Sequence, residues 1–145
     1  MKFVLLVALL LAFITVQAAH NVEHKSADEI MSHLQGNNYN IYLIYFYESR
    51  ATDEKTKNAM SDIENRIGDV ISDNPELFYA KVDLSNPEYS RLGNVVGLTS
   101  APAALLMVHG KGVWLSGTNG RLMLDRVKDF LPAFKQASAH HTNPY

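Results

Sequence analysis

The chain has 145 residues, 47% hydrophobic and 19% charged, which is enough for one ordinary globular core and too little for two. Its formal net charge of -2 excludes the broad basic surface that nucleic acid or an anionic membrane would require. It contains no cysteine, so disulfides, thiolate metal sites, haem thioether links and thiol nucleophiles are all excluded.

Met1-Lys2, the apolar run Phe3 to Val16 and then Gln17-Ala18-Ala19 follow the pattern of a secretory signal. Val16 and Ala18 fall at the usual minus-three and minus-one positions for a cut before Ala19. The rival reading is an uncleaved anchor, because a helix over Phe3 to Ala19 would reach about 25 Å, enough for a thinned bilayer. Residues 1–18 are therefore assigned to a signal peptide or an anchor, and 19–37 to an N-terminal extension.

Within that extension, Ser26-Ala27-Asp28-Glu29 is a capping-box pattern and predicts a helix from Ala27 to about Gln35, closed by Gly36-Asn37-Asn38. Asn40 to Tyr47 is apolar at both alternating sets of positions, as a strand covered on both faces would be. From Thr52 or Asp53 the period turns helical, with Met60, Ile63, Ile67, Val70 and Ile71 on one stripe. Asp73-Asn74-Pro75 stops that helix, since proline cannot continue it. Leu77 to Leu84 is the next strand, and strand, helix and strand together predict a parallel βαβ unit.

Asn86-Pro87 reads as a cap followed by proline at the first helical position, starting a short helix that ends near Leu92 or Gly93. Ala103 to Val108 is a strand, His109 to Gly112 its turn, and Val113 to Ser116 the returning strand. After a loop over Gly117 to Gly120, a last helix from Arg121 to about Gln136 directs Met123, Val127, Phe130, Leu131 and Phe134 inward. Residues 137–145 read as a loose tail, leaving 38–136 as the domain proper.

The strand ending Tyr45-Phe46-Tyr47, the strand end Ala80-Lys81-Val82-Asp83, the approach Leu98-Thr99-Ser100-Ala101-Pro102 and the Gly110/Gly112 hairpin stand in a telling order. That order resembles the thioredoxin-like superfamily. The resemblance implies an α/β fold with a central mixed sheet of about four strands flanked by helices, here preceded by an N-terminal hydrophobic helix. It also implies a cis-proline at Pro102 and a redox motif at the start of the long helix, where a helix N-terminus lowers a thiol pKa. Laid down without gaps from Phe46, Ala51 and Glu54 stand where the two cysteines would be, and shifting the register by one or two residues brings no cysteine there. The resemblance is thus to a redox-inactive member.

Pro102 with Ala101 has two readings: an edge that pairs with an extended peptide, or a purely architectural proline. Arg50 and Thr52, with Ser49 and Asp53, line the same surface or simply begin and cap the helix. Trp114 on the edge hairpin, if exposed, is a contact anchor. The four tyrosines Tyr39, Tyr42, Tyr45 and Tyr47 read as packing. His20 with His24, and His140 with His141, each lack a third ligand, so no metal is expected. No nucleophile elbow or phosphate-binding glycine loop is present. The expectation is a binding or scaffold domain of the secretory pathway (ER lumen or extracellular) without cofactor, whose partner is a protein or extended peptide and not nucleic acid. The alternative is an N-terminally anchored accessory subunit of a membrane complex, with membrane contact only if the N-terminal segment is retained.

Overall fold

A computed structural model describes residues 20–22, 25–35, 38–98, 101–116 and 119–142, the last three of these without their side chains. The proposed leader, His24, Thr99, Ser100 and the side chains of His140 and His141 lie outside the described residues. The elements run β1 (His20–Asn21), α1 (Ala27–Gln35), β2 (Ile41–Tyr47), α2 (Glu54–Asp73), β3 (Phe78–Asp83), α3 (Ser90–Val95), β4 (Ala103–Val108), β5 (Lys111–Ser116) and α4 (Gly120–Thr142).

The strands form one mixed sheet in the order β1-β3-β2-β4-β5. β1, β3 and β2 are parallel, while β4 runs antiparallel to β2 and β5 antiparallel to β4. The sheet has five strands, one more than the sequence reading anticipated. The extra strand is the two-residue β1, held by the His20 and Val22 amides donating to the Leu77 and Tyr79 carbonyls. A segment this short carries no periodicity, and only its pairing makes it a strand.

β2 is central because both of its faces are apolar. Ile41, Leu43 and Tyr45 point to one side, where they meet Ile63 and Ile67 of α2 and Val127 and Leu131 of α4. Tyr42, Ile44 and Phe46 point to the other, where they meet Ile30 and Leu34 of α1 and Leu92 of α3. The extension is therefore integral to the domain, since Ile30 and Leu34 are core residues. Burial pushes the hydroxyls of Tyr45 and Tyr79 up, with Glu64 adding to it, so both stay neutral and serve as packing.

The caps follow the predicted chemistry with two differences. Ser26 Oγ accepts the Glu29 amide, but Glu29 reaches back to the Lys25 amide rather than to its own cap. Asp53 Oδ2 accepts both the amide and the hydroxyl of Thr56, so the regular helix α2 begins at Glu54. Asn86 caps a turn rather than a helix: its Oδ1 accepts the Glu88 amide and its carbonyl the Tyr89 amide, which postpones α3 to Ser90.

The β4–β5 connection is tighter than expected. His109 and Gly110 have φ of 47° and 75°, the paired left-handed residues of a type I′ turn, so β5 already starts at Lys111. α4 is longer than expected. It passes Pro132 and reaches Thr142, and Ser138 Oγ donates to the Tyr39 carbonyl at 2.6 Å, so residues 137–142 are helix and not a loose tail. Leu124 takes the inward position expected of Phe130, which is 40% exposed. The stripe through Met123, Val127 and Leu131 leaves Phe130 on its flank.

Candidate functional site

The loop after β2, the end of β3 and the start of β4 meet at one end of the sheet. Tyr47 pairs with Asp83 and Phe46 with Ala103, so Pro102 and residues 48–53 both leave the sheet at that end. The Ala101–Pro102 peptide bond is cis, as the resemblance implied. Pro102 is buried and Ala101 half-buried.

The loop is stapled to β3 by polar groups far away in sequence. Asp83 Oδ1 accepts the Ser49 amide at 3.1 Å and the Ser85 amide at 3.0 Å, while Ser85 Oγ accepts the Arg50 amide at 3.1 Å. The Leu84 amide donates to the Tyr47 carbonyl, and the Ala51 amide to the Glu48 carbonyl. Partial burial pushes the Asp83 carboxyl up, but the hydrogen bonds from Ser49 and Ser85 outweigh it and leave its pKa below the ordinary value. Asp53 at the head of α2 is likewise held low, chiefly by the Thr56 amide and hydroxyl.

The two residues that the resemblance matches to the redox motif carry no thiol. Ala51 is a half-buried methyl, and Glu54 is an exposed carboxylate 3.9 Å from Lys57 Nζ. Arg50 and Thr52 are exposed on the same loop. A polar cleft of about 210 Å³ opens beside it, lined by Glu48, Leu84, Ser90, Asn94, Leu98 and Ala101 among others. Of the candidate partner-binding residues Arg50, Thr52, Ala101, Pro102 and Trp114, Ala101 alone lines this cleft.

Trp114 is elsewhere. It lies opposite Leu105 on β5, half-buried, with its ring 5.3 Å from that of Phe46 and its Nε1 donating to the Val96 carbonyl at 3.0 Å. It is therefore not the freely exposed anchor the hairpin position suggested, because it ties β5 to the end of α3. In the sequence Asp83 reads only as part of a strand end, and Ser85 carries no assignment. The available signal was the Asp-x-Ser spacing, in which the carboxylate accepts the amide two residues on.

Among the described residues no group of three or more metal-ligating side chains comes together, and no helix is long and apolar enough to cross a membrane. No protein-family profile matches the sequence, and no curated protein sequence does. Solved structures do match. Thioredoxin from Trypanosoma brucei brucei superposes with a TM-score of 0.59 at 15% identity, over 81% of this chain and 94% of that one. The chain has the thioredoxin fold. Spinach chloroplast thioredoxin F gives a TM-score of 0.57 at 12% identity, over 84% of this chain and 88% of that one. Thioredoxin O2 from Arabidopsis thaliana gives 0.57 at 14%, over 78% and 94%. At these identities the likeness establishes the thioredoxin fold alone. Joined to the absence of any cysteine in the chain, it describes a thioredoxin fold without a thiol redox motif.

Proposed function

We propose that this thioredoxin-like domain binds a protein or an extended peptide without catalysing thiol–disulfide exchange, and that it does so in the secretory pathway. One observation carries the reading. The loop, the helix start and cis-Pro102 keep the arrangement of the fold, while Ala51 and Glu54 stand at the motif positions in a chain without cysteine. A loop pinned by Asp83 and Ser85 presents its outer surface at little further cost in conformational entropy, which suits it to holding a partner. The leader-like residues 1–18 support the compartment. The absence of cysteine suits an oxidising lumen, since no stray thiol is there to be oxidised. Neither a cofactor nor a nucleic-acid partner belongs to this reading.

The test is a titration of the protein against permanently unfolded, carboxymethylated α-lactalbumin by calorimetry, alongside an insulin-reduction assay. Saturable binding that Pro102→Ala and Arg50→Ala weaken, with no insulin turnover, supports the proposal. Binding unchanged in both variants, or measurable thiol-dependent turnover, defeats it.

The second reading, an N-terminally anchored accessory subunit of a membrane complex, rests on the apolar run Phe3 to Val16. Intact mass of native protein separates the two: a mature start at Ala19 favours a lumenal or extracellular domain, and a retained Met1 favours the anchored subunit.

A further inference from the structure

The sheet face carrying α1 and α3 is incompletely covered. α1 has nine residues and α3 six, and on this face Met107 of β4 and Trp114 of β5 are left only half-buried. The uncovered strip is a groove of about 320 Å³ over the β4–β5 hairpin, lined chiefly by Met31, Leu34, Val95, Leu105, Met107 and Trp114. Gly112, paired with Met107, lends no side chain to fill it.

A second trough of about 470 Å³ continues the first between α1 and α3, sharing Met31 and Val95. Its far end is polar, with Asp28 and Glu88 against the single cation Arg91.

Three properties suit this strip to a ligand rather than to water. Val95, an aliphatic side chain shared by both troughs, is 67% exposed. Met31 and Met107 are unbranched and adjust to the shape of what they meet. The Trp114 N–H is already bonded to Val96, so the ring can be covered without stranding a polar atom.

We infer that this composite groove is a docking site for an apolar segment of a partner protein that carries a lysine or arginine at one end. The apolar side chains would lie over Met107 and Trp114, and the cation would sit against Asp28 and Glu88. This rests on the binding reading above but moves the contact to the opposite side of α3 from the polar cleft.

The experiment uses Trp114, the single tryptophan, as a fluorescent reporter. The probe is an acetylated peptide of about twelve residues, leucine alternating with serine so that one side is apolar when extended, with two lysines at one end. The inference expects a saturable blue shift, a loss of affinity of about tenfold or more in Val95→Asp, and, in Asp28→Lys/Glu88→Lys, a preference reversed toward a second peptide that carries two glutamates in place of the two lysines. Val95 is largely solvent-exposed, so the first variant retains the fold, which circular dichroism checks.

No saturable shift, or equal affinity in Val95→Asp, overturns the inference. Self-association that Val95→Asp abolishes would also overturn it, by giving the groove to a second copy of the chain. Probe binding lost in Pro102→Ala but intact in Val95→Asp overturns the groove and leaves the binding reading standing.

Discussion

The two faces of the sheet are built from similar strands and covered very differently. On one face the 20-residue α2 and the 23-residue α4 lie over Leu43, Tyr45 and Leu106 and bury them completely. On the other, two helices of nine and six residues cover Ile44 and Phe46 but leave Met107 and Trp114 half-exposed. The difference separates stability from recognition: long helices close a core, and short ones leave apolar surface that water covers at a cost.

The largest expected effect compares like with like. Ile63 on α2 and Ile30 on α1 are 0% and 1% exposed, and truncating either to alanine is expected to cost about 2–5 kcal/mol. Ile63→Ala should fall toward the upper end, because two long helices resist collapse around the cavity, whereas the short-helix face has room to relax. Urea denaturation measures both, and a greater loss for Ile30→Ala would break the comparison.

Next come two glycines on the long-helix side. A Cβ on Gly120 would lie 2.7 Å from the Ala59 carbonyl oxygen, backbone pressed on helix, so Gly120→Ala should destabilise by about 1–3 kcal/mol. Gly68, exposed within α2, has nothing within 4 Å of its position, so Gly68→Ala should stabilise by about 0.5–1 kcal/mol. Thermal melts of the pair should move in opposite directions, and a Gly120→Ala chain no less stable than the parent would show that the approach of α4 to α2 is not close enough to exclude a methyl group.

Smaller still is the ion pair between Lys135 on α4 and Glu76 before β3, at 2.7 Å with both side chains nearly half-exposed. Lys135→Ala should cost no more than about 1 kcal/mol, and the cost should shrink in high salt. A loss that is insensitive to salt would point to packing of the lysine stem instead.

The smallest effect is a pH dependence at the site end. The folded-state pKa of Asp83 lies below its ordinary value, so its contribution is fully present above the ordinary aspartate range and fades as pH falls through the folded value. The protection of the Ser49 amide against hydrogen exchange, taken relative to its intrinsic rate at each pH, should therefore fall as pH drops through the folded value, and Asp83→Asn should flatten that profile. An unchanged profile in the variant would show that the loop does not depend on this carboxylate.

Much of the framework was legible in the sequence. α1 was placed at Ala27–Gln35 and β4 at Ala103–Val108, because caps, turn residues and periodicity all act within a few positions. The cis bond at Pro102 followed from the resemblance. What went unread depends on partners distant in the chain. β1 is defined by β3, about sixty residues on, and the run of α4 to Thr142 is accompanied by a bond from Ser138 to Tyr39. How far Trp114 is exposed is not legible either, because nothing local reveals that Val96 accepts its N–H.

By itself the sequence determined that no thiol chemistry is available and that strands and helices alternate around one core, since composition and local periodicity are properties of the chain in one dimension. Only the tertiary structure decided that the two short helices share a face and that Asp83 pins the loop at Ser49. Those outcomes arise where segments tens of residues apart are brought within a few ångströms, and crossover packing alone sets which side chains then meet.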